Sequence, residues 1–265
     1  MFKTRVATFS ILLPLFIYLL LYSSVEIFIS VTSTVIIIAY FEWQQLLKSY
    51  NLLTNLINII ILFLLFFLIT KSYWLDRDFI IKILLIASIF WVIATIELFL
   101  YSKFRKNILI STQMSCFFVF IPSWLAINYM QVYNRSLLIL GCFIIIAADV
   151  GGYVFGKLYG KHKLTKISPN KTWEGVLGGY LVAMLVVAGY ILFFNNYNII
   201  FKLIIVSSLT FVFSIIGDLF ESLQKRISGV KDSGNLLPGH GGILDRIDGF
   251  CSGMPIFVLG ILLLN

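Results

Sequence analysis

Asp218, Glu221, Ser222 and Lys225 stand at i, i+3, i+4 and i+7, which in a helix puts two acids, a hydroxyl and an ammonium on one face. Asp218 lies at the polar end of a long apolar run, where an unpaired carboxylate is costly and calls for a cation. Asp245 and Asp248 repeat the pattern at i and i+3, with Arg246 between them. Carboxylates gathered in this way repel one another unless a metal ion sits among them. Hard oxygen ligands beside phosphate-binding cations favour Mg²⁺ or Mn²⁺ over zinc.

Lys171, Lys225, Arg226, Lys231 and Arg246 supply the complementary half of a phosphoryl-transfer site, which works by positioning and by neutralising phosphate charge. Arginine adds a bidentate grip. The run Pro238-Gly239-His240-Gly241-Gly242 is irregular backbone whose N–H groups can approach an anion closely. Ser168-Pro169 reads as a turn into a helix opening near Lys171 and Thr172, and a helix N-terminus favours phosphate. Each feature has a plainer counterpart. Asp218, Glu221 and Lys225 alone read as a salt-bridged helix exit, the glycine run as a tight loop and His240 as a structural hydrogen-bonder. Lys157, Lys161, Lys163 and Lys166 read as ordinary charges of a membrane-flanking loop. Gly151, Gly152, Gly156, Gly178 and Gly179 suit close helix packing in a bilayer. It is the density of these features between Asp149 and Asp248 that argues for a site.

The elements that must position them are membrane helices. Of 265 residues, 60% are hydrophobic and 12% charged, with mean hydropathy +0.99, whereas a soluble domain carries about a quarter charged residues. Residues 6–25, 49–70, 107–134 and 175–201 contain no Asp, Glu, Lys, Arg or His. Such runs reach the roughly 20 residues that span a bilayer as a helix. They lack the alternation of barrel strands, so helices keep the backbone paired. The expected fold is an all-α polytopic bundle of nine spans, near 6–23, 26–42, 52–70, 79–101, 108–130, 136–156, 175–194, 199–220 and 250–264. Lys3 and Arg5 precede the first run as in a secretory signal, but no small-residue cleavage site follows, so it reads as a retained helix. Cys116, Cys142 and Cys251 stand in apolar context without metal-ligand spacing and read as buried hydrophobes.

With nine spans, fifteen Lys and Arg fall on the N-terminal side and three on the other, leaving Lys82 and Lys202 within span ends. The positive-inside rule then makes the N-terminus and the polar loops cytoplasmic. The net charge of +8, concentrated on that face, suits anionic headgroups, nucleotide phosphates or the topology signal alone. Seven of twelve carboxylates and both histidines, His162 and His240, lie between Asp149 and Asp248. Residues 1–135 therefore read as transmembrane scaffold and 136–265 as the catalytic membrane region. Glu97, an acid inside a span, is the exception in the first half.

Ser222-Leu-Gln-Lys225-Arg226, four residues, Lys231-Asp232, five residues, then Pro238-Gly-His240-Gly241-Gly242-Ile-Leu-Asp245-Arg246-Ile-Asp248 resembles the signature of phosphatidate cytidylyltransferases (CDP-diacylglycerol synthases). The match covers 27 consecutive positions. Asp149-Val-Gly-Gly-Tyr153 and Ser168-Pro-Asn-Lys171-Thr172-Trp-Glu-Gly175 resemble a second region of that family. Gln224 departs from the pattern, standing where an apolar residue is expected, away from the acids and bases. The resemblance implies attack of a phosphatidic acid phosphate oxygen on the α-phosphorus of CTP, with loss of pyrophosphate. It implies Mg²⁺ held by Asp218 and Asp245 with Asp248 as a third acid, and it allows a second cation. It also implies Lys225, Arg226, Lys231 and Arg246 on triphosphate or lipid phosphate, Ser222 and His240 orienting phosphate, Gly241 and Gly242 in the binding loop, and Ser168 and Lys171 shaping the same cavity. The partners so implied are CTP, phosphatidic acid and the bilayer, with no nucleic acid. A homodimer is compatible with the sequence, although no residue marks an interface.

Two rival classes remain open at this stage. A CDP-alcohol phosphotransferase would carry an Asp-Gly…Ala-Arg…Gly…Asp…Asp pattern that is absent, whereas a CTP-dependent polyprenol kinase differs in releasing CDP. A transporter of anionic lipid or metabolite would place its site near midplane between repeated halves, and no repeat is present. The use of Ile, Asn and Lys and the lack of a transit-type leader point to a bacterial cytoplasmic membrane.

Overall fold

Where the structure describes them, the apolar runs fold as helices. The computed structural model describes residues 2–47, 59–60, 62, 76–104, 115–194, 199–239 and 241–264. Among the described residues there are eight helices and no strand: α1 (Phe2–Tyr22), α2 (Val25–Leu46), α3 (Arg77–Phe104), α4 (Ser115–Tyr133), α5 (Arg135–Tyr159), α6 (Trp173–Phe194), α7 (Ile200–Ser228) and α8 (Leu244–Leu264). The span expected at 52–70 lies almost wholly outside them, as does His240. The seven helices α2 to α8 are long and apolar enough to cross a membrane. Their outward faces are apolar as well: Leu85, Ile89, Val92 and Ile96 on α3 and Leu177, Leu181 and Leu185 on α6 are all exposed. Water would penalise such stripes, and lipid does not.

Three helix ends differ from the hydropathy reading for one reason. α2 continues past 42 to Leu46, α7 past 220 to Ser228, and α8 begins at Leu244 rather than 250. Hydropathy stops where polar residues begin, but these helices carry polar residues in their regular turns. At 29 residues α7 is about 43 Å long, against a hydrocarbon core of about 30 Å, so its final turns reach beyond the apolar layer. Lys225 and Arg226 in its last turn complement the helix dipole, and Gly229, at φ +73°, ends it with its N–H on the Arg226 carbonyl.

One hydrophobic core runs from Leu20 to Leu262 and takes residues from both sides of position 135, so the described residues of the two halves pack as one body. α8 lies at its centre, against α2, α3, α4, α5 and α7. The α7–α8 approach depends on Gly217: a Cβ there would meet the Asp248 carbonyl at 2.5 Å and collide with Ser252 Oγ. Arg77 donates to the Leu262 carbonyl at 2.6 Å, and Lys202 donates to that of Leu264. These cations therefore lie at the end of the bundle opposite Asp245, about 30 Å away along the 21 residues of α8. The three cysteines are buried and form no disulfide, as their apolar context implied.

Candidate active site

The polar residues of α5, α7, α8 and two loops meet at one end of the bundle. On α7 the 3.6-residue repeat lines up Asp218, Glu221, Ser222 and Lys225, and Ser222 Oγ donates to Asp218 Oδ1 at 3.2 Å. Lys225 Nζ reaches 3.0 Å from Glu221 Oε2 and 2.6 Å from Asp245 Oδ1, so one ammonium ties α7 to the first turn of α8. The three side chains are 12%, 2% and 8% exposed, which leaves little water to screen the attraction.

Lys171 arrives from the loop between α5 and α6 and places Nζ 2.5 Å from Asp218 Oδ2. That loop is closed by the Lys163–Thr172 bridge. At its exit Thr172 Oγ1 accepts the Gly175 N–H at 3.1 Å, capping α6. Glu174 in the first turn accepts the N–H groups of Lys161 and His162 and pairs with His162 Nδ1 at 2.6 Å. Ser168 takes part through its backbone, its carbonyl accepting the Lys171 N–H at 3.1 Å. Arg226 points to the same loop, its Nε 3.4 Å from the Ile167 carbonyl. In this structure Arg226 thus braces the segment that delivers Lys171. Lys231 and Arg246 are exposed, on the loop after α7 and on the first turn of α8.

The glycine-rich run folds around protein carboxylates. Asp245 Oδ2 accepts the N–H of Gly242 at 2.8 Å and of Ser233 at 3.0 Å. Gly241 has φ +81°, and a Cβ on it would run into Asp245 Oδ2. A Cβ on Gly242 would run into Glu42 Oε2, and one on Gly234 would lie 2.7 Å from Glu42 Oε1. In this structure the N–H of Gly242 is directed at the Asp245 side chain. Glu42, on α2, escaped the sequence reading. It is 5% exposed and accepts hydrogen bonds from Ser233 Oγ, Ile243 N and Leu244 N.

Acid outnumbers base around Asp248. Asp218, Glu221 and Asp149 of α5 all lie within electrostatic reach of its carboxylate. Glu221 Oε1 is buried and receives no hydrogen bond from a donor among the described residues, and its carboxyl faces that of Asp248. An excess of hard oxygen donors and an unsatisfied buried oxygen fit a divalent cation chemically. As the chain stands, no three His, Cys, Asp or Glu side chains among the described residues close on a common point.

Fold and site together define a membrane-embedded helical protein in which acids and lysines from three helices and two loops gather at one end of the described bundle. Residues 3–264 match the sequence model of the Cytidylyltransferase family. The chain belongs to this family. It is similar to phosphatidate cytidylyltransferases from Haemophilus influenzae (34% identical over 281 residues, 97% of each chain), Pseudomonas aeruginosa (34% over 187 residues, 66% of this chain and 67% of that one) and Staphylococcus haemolyticus (50% over 130 residues, 48% and 49%).

Proposed function

We propose that this chain transfers the cytidylyl group of CTP to phosphatidic acid, giving CDP-diacylglycerol and pyrophosphate for phospholipid synthesis. A phosphate oxygen of the lipid attacks the α-phosphorus of CTP, the new P–O bond replaces the bond to the β-phosphate, and pyrophosphate carries away the electron pair. The attacking phosphate is ionised at neutral pH, so the enzyme's task is to bring two polyanions together and hold them in line. The observation that carries the reading is the pair of cation–carboxylate contacts, Lys171–Asp218 and Lys225–Asp245, that converge from one loop and two helices. They hold two ammonium groups beside an acid cluster at the end of α7 that reaches past the apolar layer.

Asp218, Asp245 and Asp248 would hold Mg²⁺, with room in the acid count for a second cation, and Mg²⁺ there would offset the charge of the triphosphate. Lys225 and Lys171 keep the acids apart and aligned, and Ser222 fixes one oxygen of Asp218. Lys231 and Arg246, both exposed, present their cationic groups where phosphate oxygens would arrive from solution. The lipid would enter sideways between helices with its phosphate at the level of the α7 terminus. By the distribution of Lys and Arg, that face is the cytoplasmic face of the bacterial inner membrane, and the span count is nine.

Purified protein in detergent, given CTP, phosphatidic acid and Mg²⁺, should release pyrophosphate in step with CDP-diacylglycerol. Asp245→Ala should abolish both. Release of CDP instead would make the chain a CTP-dependent lipid kinase.

A further inference from the structure

Glu42 is a buried carboxylate on a helix that contributes nothing else of its charge to the site, yet it meets the site at its least regular segment. Its Oε2 accepts from Ser233 Oγ at 2.9 Å and from Leu244 N at 2.8 Å, and its Oε1 accepts from Ile243 N at 3.0 Å. The Leu244 N–H is an orphan donor of the α8 N-terminus, which α8 cannot satisfy from within, and the Ile243 N–H lies just ahead of it. A negative charge at that end also meets the positive pole of the helix. Ser233 is shared: its hydroxyl goes to Glu42 and its N–H to Asp245 Oδ2. A continuous path therefore runs from Glu42 through Ser233 to Asp245, and from Asp245 through Lys225 to Glu221.

The surroundings fix Glu42 in turn. Trp43 stacks on Phe220 of α7, with ring centroids 5.9 Å apart, and the Leu46 carbonyl accepts the Ser228 hydroxyl. The last turns of α2 thus touch α7 twice, while Glu42 grips α8 and the loop before it. Gly234 and Gly242 leave no space for side chains beside the Glu42 carboxylate, so that carboxylate and those two glycines are one packing unit.

We propose that Glu42 is a positioning residue for the nucleotide end of the site: it presets Ser233 and residues 242–244, and through them Asp245, before CTP arrives. The inference rests on the transferase reading. The loop it clamps is the exposed, polar part of the site and carries Lys231, whereas the lipid must come from between the apolar helices. Loosening the clamp should therefore weaken the handling of CTP more than that of the lipid.

Wild type, Glu42→Gln and Glu42→Ala should be compared with Phe28→Ala, a buried control about 21 Å away on the same helix. The expected result is a rise of about tenfold in KM for CTP in the Glu42 variants, with KM for phosphatidic acid within about twofold of wild type. Phe28→Ala should lower Tm and leave both KM values in place. Hydrogen exchange, read without substrate, should speed up about tenfold at the amides of 233 and 242–244 in Glu42→Ala and stay unchanged along α5. Unchanged exchange at those amides, or a Glu42 variant whose KM values match the Phe28 control, would overturn the proposal. A wild-type protein that makes no CDP-diacylglycerol would instead overturn the transferase reading, and the exchange pattern would still decide whether Glu42 clamps the loop.

Discussion

Lys225 Nζ lies 2.6 Å from Asp245 Oδ1 and 3.0 Å from Glu221 Oε2, one cation shared by two buried acids on different helices. Removing one partner from such a group leaves the rest buried and uncompensated, which costs about 3–5 kcal/mol. Lys225→Met should therefore be both inactive and markedly less stable. The double variant Lys225→Met/Glu221→Gln should recover stability without activity, because it removes one of the stranded charges. Thermal unfolding in detergent alongside the product assay reads both effects, and equal stability of the single and double variants would contradict the assignment.

Lys171 and Asp218 form the contrasting pair. They are closer, at 2.5 Å, but 24% and 27% exposed, so water screens them. Pairs this accessible contribute under about 1 kcal/mol to stability. Lys171→Ala should shift Tm by little and lower kcat/KM by a factor of ten or more. A large loss of Tm with kcat/KM unchanged would make Lys171 a structural residue.

Gly217→Ala tests the approach of the two acid-bearing helices. The added methyl would collide with Ser252 Oγ and come within 2.5 Å of the Asp248 carbonyl, and that carbonyl is helix backbone rather than the tip of a flexible chain. Overpacking of this kind costs about 1–3 kcal/mol, and here it would also separate Asp218 from Asp248. Activity should fall at least tenfold, whereas Gly189→Ala, which meets nothing within 4 Å, should leave it intact.

Chelation distinguishes a catalytic cation from a structural one. Removing divalent ions should stop turnover, and Mg²⁺ should restore it. Circular dichroism should be unchanged throughout, because the core that joins α1 to α8 is apolar and needs no metal. Loss of helix on chelation would contradict a purely catalytic role.

Local pattern explains what could be read in advance. Asp218, Ser222 and Lys225 share a face because a helix repeats every 3.6 residues, and that spacing is visible in one dimension. Asp245 and Asp248 were legible in the same way. Glu42 was not, because its partners Ser233, Ile243 and Leu244 lie about two hundred residues away along the chain. An acid at the edge of an apolar run also looks like any interfacial carboxylate. The usable signal was that Phe41 and Trp43 flank it and that the helix continues to Leu46, which places the charge inside a turn rather than at an end. Gly241 and Gly242 were recognised as loop glycines with N–H groups suited to an anion, but sequence could not reveal that carboxylates of the protein occupy the space beside them.

The most direct test of the account is the fate of labelled phosphate. Purified protein would be given phosphatidic acid and CTP labelled either at the α- or at the γ-phosphate, and the lipid product would then be extracted and counted. The account predicts that α-label enters the lipid in equal amount to pyrophosphate released, while γ-label stays in the water phase. Transfer of γ-label to the lipid would show a kinase and would contradict the central claim.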